Sequence, residues 1–236
     1  MKPKKTLRRQ LFQLTGPIFV ETLLIMLLGA MDTFMLSSYS DDTVAAVGVV
    51  NQLLNLVFLV FGVSTVGTSV LCSQYLGASQ HANVRQVIGV SLLFNTLIGV
   101  MTSALLYFRA ESLLKMMDLS PELVNEGLAY MQIVGGFAFL QAIALTMSAV
   151  LRSHNKAYYP MRVTLLMNIL NIIGNYALIF GKFGLPQMGV VGAAISTSSC
   201  RGVALVLLLY ITFGKVVPHF SFSSVRPFPW DKLKNL

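Results

Sequence analysis

Charge is what this chain has least of. Asp, Glu, Lys and Arg make up 11% of its 236 residues, hydrophobic residues make up 55%, and mean hydropathy is +0.72. A soluble domain carries about 25% charged residues, so that class is excluded. Cysteine is scarce as well: Cys72 and Cys200 both sit in apolar stretches. Two such thiols make neither a disulfide framework nor a zinc site, and they read as small packing residues. The three histidines, His81, His154 and His219, fall in connecting segments or the tail, and no metal site is expected from them. A phosphate-binding glycine loop, a His-Glu-x-x-His pair and a nucleophile elbow are all missing. The sequence therefore gives no reason to expect an enzyme or a cofactor. A cleavable signal peptide is not expected either, because the apolar stretch after the basic start is too long and has no small-residue cleavage site.

What is present is apolar length. Stretches 43–81, 87–108, 127–151 and 163–181 carry no Asp, Glu, Lys or Arg, and each holds the roughly 20 residues that cross a bilayer. A first span is expected at about Leu14–Ser37, interrupted by Glu21 and Asp32. A sixth is expected at about Met188–Gly214, interrupted by Arg201. The fold class is all-α, a polytopic transmembrane bundle of six helices. Short connections make neighbouring helices antiparallel, and the segment 109–120 reads as a short amphipathic helix on the outer surface.

The excess of basic residues, net charge +8, reports orientation. Lys2, Lys4, Lys5, Arg8, Arg9, Arg85, Arg152, Lys156, Arg162, Lys215, Arg226, Lys232 and Lys234 fall on one side, against Arg109, Lys115 and Lys182 on the other. That bias places both termini in the cytoplasm. The expected partners are the lipid bilayer and its anionic headgroups, not nucleic acid. Organisation follows as a basic cytoplasmic lead-in over 1–13, a transmembrane lobe over 14–214, and a cytoplasmic tail or linker start over 215–236.

Polar residues inside the spans point to chemistry. A carboxylate at bilayer depth is expensive, about 2.5–3.5 kcal/mol on insertion scales, so Asp32 is expected to face the protein interior and to have a task. Asn168, Asn171 and Asn175 share one face of the fifth span; such amides either glue helices together or line a site. At about 1.5 Å rise per residue, Asp32, Asn175 and Thr197 lie roughly 24, 20 and 27 Å from the inner edge, close enough in level to meet. A carboxylate among amides and a hydroxyl suits a proton or a small hard cation such as Na⁺. Pro17 either begins the first helix or bends it. Arg201 lies near the depth of Asp32 and needs a counter-charge: pairing with Asp32 would lower that carboxylate's pKa and oppose proton carriage, whereas pairing with Glu21, the favoured partner, leaves Asp32 free. The small-residue stripe Gly189, Gly192, Ala193 and Ser196 reads as close helix packing, and methionines facing a cavity would accept varied apolar ligands.

Taken together, Pro17 with Asp32-Thr33, Val44-Ala-Ala-Val-Gly, Gln74-Tyr-Leu-Gly-Ala, Leu151-Arg-Ser with Pro160, Asn168 to Asn175, and the run Gly181-Lys-Phe-Gly-Leu-Pro-Gln-Met-Gly-Val-Val-Gly-Ala-Ala-Ile-Ser-Thr resemble the first half of a multidrug and toxic compound extrusion (MATE) transporter. The resemblance implies one lobe of a two-lobe exporter that exchanges H⁺ or Na⁺ for bulky, often cationic or amphipathic compounds by alternating access. It implies a second six-helix lobe as partner and a bacterial inner (cell) membrane location. It also implies roles: Asp32 as principal cation-coupling residue, Asn171, Asn175, Thr197 and Tyr130 as its network, and Pro17 as the first-helix bend. Arg201 departs from the pattern, and the chain stops after six spans where the family carries about twelve. An exporter of lipid or lipid-linked saccharide on the same two-lobe plan is the alternative, as is a non-transporting half.

Overall fold

The computed structural model describes residues 4–117, 119–218 and 220. Asp118, His219 and most of the expected tail lie outside the described residues. Within them the chain is helical, with no strand. In order come α1 (Lys4–Ser37), α2 (Asp41–Gly77), α3 (His81–Phe108), the short α4 (Ala110–Met116), α5 (Pro121–Tyr130), α6 (Ala138–Ser153), α7 (Tyr158–Ile179) and α8 (Gly189–Ile211). Two π-helical turns extend α5 through Met131–Gly135 and α8 through Thr212–Val216.

Five helices are long and apolar enough to cross a membrane, and α5 with α6 makes a sixth crossing. The chain is a multi-pass membrane protein. Its surface agrees: Leu56, Leu59, Val63 and Val66 on α2 and Phe19, Met26 and Phe34 on α1 are all more than half exposed. Such an unbroken apolar surface belongs in lipid or against more protein. The expected amphipathic segment is α4, which turns Ala110 and Leu114 inward.

The fourth crossing differs from the single rod the uncharged stretch predicts. It bends by 44° between Gly135 and Ala138. A π turn leaves backbone groups out of register, and a neighbour takes up one of them: the Phe139 N–H donates to Ser103 Oγ on α3 at 2.9 Å. Ser103 is itself buried. A break at bilayer depth persists where another helix satisfies the freed groups.

Packing fixes the site. α7 lies between α1 and α8, while α2, α3 and α6 pack together. The approach of α7 to α8 is close because the stripe on α8 is small. A Cβ at Gly192 would stand 2.6 Å from the Leu178 carbonyl oxygen, and one at Gly174 would stand 2.5 Å from Ser196 Oγ. The main core gathers Leu54, Phe61, Leu106, Met131, Ala142 and Ile179.

Candidate functional site

Asp32 sits in the last turns of α1 with 8% of its surface exposed. It faces the bundle. Its Oδ1 accepts a hydrogen bond from Asn175 Nδ2 at 2.5 Å. The same amide donates to Asn171 Oδ1 at 3.1 Å, and Asn171 Nδ2 donates to Thr197 Oγ1 at 3.1 Å. Ser196 Oγ adds a bond to the Asn171 carbonyl at 3.3 Å. One continuous chain of polar contacts thus links α1, α7 and α8. Asn171, Asn175 and Thr197 are all buried.

Helix period explains the arrangement. Asn171 and Asn175 stand one turn apart on the α7 face that meets α8, so one amide reaches Asp32 and the other reaches Thr197. Asn168, on the same face, behaves differently: its Nδ2 donates to the Leu24 carbonyl of α1 at 2.7 Å. It joins helices and takes no part in the polar chain. Among the described residues Asp32 has no cationic side chain within ion-pair distance. Its carboxylate is accompanied by amide and hydroxyl oxygens, and Asn175 Oδ1 is buried with no partner. That donor set suits a proton or a hard cation.

Tyr130 is buried on α5, and its hydroxyl donates to Asn51 Oδ1 on α2 at 3.4 Å. It bonds to no member of the Asp32 chain among the described residues. Pro17 lies inside α1, thirteen residues after Lys4, and so does not begin the helix.

The expected Glu21–Arg201 pair does not form. Glu21 pairs with Arg152 at the end of α6, Nη2 to Oε1 at 3.1 Å. Eleven residues separate Glu21 from Asp32, roughly 16 Å along the helix, so Glu21 belongs to a different level, the one where α6 ends. Arg201 lies one turn from Thr197 at the upper level. Its guanidinium rests 5.0 Å from the centroid of the Phe58 ring, a cation–π contact. Neither Arg152 as a partner of Glu21 nor Phe58 as a neighbour of Arg201 follows from spacing, because depth counts leave rotation about each helix axis open.

On the exposed side of α1 and α7 an apolar groove of about 440 Å³ is lined by Met31, Phe34, Met35, Tyr176, Phe180 and Phe183 among others; Asp32 faces the bundle and does not line it. Two methionines and four aromatics make a deformable apolar wall.

Comparison with known proteins settles the family. A family model described as MatE matches residues 17–177, a stretch that holds Pro17, Asp32, Asn171 and Asn175. The chain belongs to the MATE family. The transporter YisQ of Bacillus subtilis is 43% identical over 96% of this chain and 50% of its own length. A probable multidrug resistance protein NorM of Thermotoga maritima is 33% identical over 88% of this chain and 45% of its own. Among solved structures, a MATE protein in a bent conformation superposes with TM-score 0.85 at 22% identity, covering 96% of this chain and 50% of that one. An outward-facing multidrug resistance MATE family transporter gives 0.82 at 23% identity over 96% and 49%. These two likenesses concern the fold. The chain spans about half the length of the MATE relatives it matches.

Proposed function

We propose that this chain forms the N-terminal lobe of a cation-coupled multidrug exporter, with H⁺ or Na⁺ exchanged for organic compounds. The observation that carries the reading is the hydrogen-bonded chain from Asp32 through Asn175 and Asn171 to Thr197. A coupling ion taken up by Asp32 changes the charge against which Asn175 is aligned. α7 and α8 are tied to that amide and α1 bears the acid, so the packing of three helices responds to one loading event. The electrical part of the driving force is about 2.3 kcal/mol per charge per 100 mV. A second six-helix lobe completes the transport path, Tyr130 with Asn51 lines it, and Pro17 supplies a flexible point in α1. The protein resides in the bacterial inner membrane with both termini inside.

The test is Asp32→Asn in the complete protein, produced in a drug-sensitive bacterial host. Resistance to ethidium-like cations should disappear while the protein stays in the membrane at normal abundance. Wild-type resistance in that variant removes Asp32 from the mechanism. Flux of ethidium against labelled lipid in vesicles separates this reading from a lipid exporter.

A further inference from the structure

Arg201 is the charge the coupling scheme has not used. It projects from α8 one turn beyond Thr197, and its guanidinium lies against the Phe58 ring of α2. Phe58 stands two turns from Asn51, on the α2 face that also meets Tyr130. Arg201 therefore borders the same interior as Asp32, between α1, α2, α5, α7 and α8. Its Nη1 is fully shielded and has no hydrogen-bond partner. Arginine does not give up its proton in a protein, so this charge is permanent.

The groups that could balance it are few. The other buried acid, Glu21, is taken by Arg152. Among the described residues Tyr130 on α5 and Asp32 on α1 are the ionisable groups near enough to act on Arg201, and Tyr130 is a neutral phenol whose hydroxyl donates to Asn51. Among the described residues Asp32 alone carries the opposite sign there, and it does so without an ion-pair contact.

We propose that Arg201 is a fixed positive charge countered, among the described residues, only by Asp32, so that a coupling cation loaded on Asp32 turns this interior from neutral to net positive and expels a bound organic cation. The inference rests on the coupling reading of Asp32 and adds to it the residue that makes loading repulsive. Coupling ion and substrate then exclude one another through charge, with no need to occupy the same atoms. Without Arg201 the interior would pass from net negative to neutral, and a cation would be released poorly.

Tetraphenylphosphonium and tetraphenylborate test this, being ions of nearly the same shape and opposite sign. Equilibrium binding of both is measured on the complete purified protein. Arg201→Gln should bind the phosphonium about tenfold more tightly and the borate about tenfold more weakly, the scale that one unit charge sets across about 12 Å at an effective dielectric of about 20. Asp32→Asn, which mimics the loaded state, should lose phosphonium binding, and adding Arg201→Gln should restore it. Arg201→Gln should also fail to confer ethidium resistance despite its tighter binding. Arg201→Lys keeps the charge and should match wild type in both affinities. Should Arg201→Gln not be recovered from membranes, Arg201→Met, which keeps an apolar stem against Phe58, takes its place in every comparison. Affinities that stay put, or that move in the same direction for both probes, overturn the inference, as does a Lys variant that behaves like Gln. If Asp32→Asn leaves binding and resistance at wild-type levels, the coupling reading fails instead.

Discussion

At the scale of single residues, two acids on one helix have different neighbours. Asp32 meets amides, and Glu21 meets a guanidinium. Removing one partner of a fully buried ion pair costs about 3–5 kcal/mol; here the loss should be smaller, because the Arg152 side chain is 32% exposed. Glu21→Gln and Arg152→Gln should each lower the melting temperature in detergent, and the exchange Glu21→Arg with Arg152→Glu should recover part of the loss. Equal melting temperatures for wild type and both single variants would show the pair to be inert. The meeting of Asp32, Asn175, Asn171 and Thr197 was legible in the sequence, because helical rise converts residue number into depth and helical period puts the amides on one face. The partners of Glu21 and Arg201 were not. Their identity depends on how each helix is rotated against its neighbours, and charge compensation alone chose wrongly: the depth of Glu21 already put it with the inner residues.

At the scale of elements, the helices follow from uncharged length, and their contacts follow from small residues. Gly192 lets α8 reach the backbone of α7. The broken fourth crossing was hidden, because its uncharged run contains no proline and reads as one span, and because the hydroxyl that stabilises the break lies on another helix. Ser103→Ala tests that hydroxyl. It leaves the Phe139 N–H without a partner in a water-poor setting, a loss of roughly 1–3 kcal/mol readable as a lower melting temperature. Ser103→Thr, which keeps the oxygen, should lose less. If alanine melts like wild type, the bend does not depend on this bond.

At the scale of the whole molecule, the basic residues define a side. The turn at Ser38–Ser40 and the connection around Phe183 are expected outside, and the turns at Ser79 and Asn155 inside. Single cysteines at Ser40, Phe183, Ser79 and Asn155, in a background with Cys72 and Cys200 replaced, give the check with a membrane-impermeant maleimide on intact cells. Ser40 and Phe183 should label, and Ser79 and Asn155 should label only after lysis. The reverse pattern would invert the topology and place Asp32 nearer the cytoplasmic face.

The bend between Gly135 and Ala138 means that six crossings are made from seven stiff pieces. The extra joint falls between the piece that bears Tyr130 and the piece that ends in Arg152. A tilt imposed on one half of that crossing need not be passed to the other, so the level around Tyr130 has a route to rearrange while the Glu21–Arg152 clasp at the opposite end of the crossing stays shut.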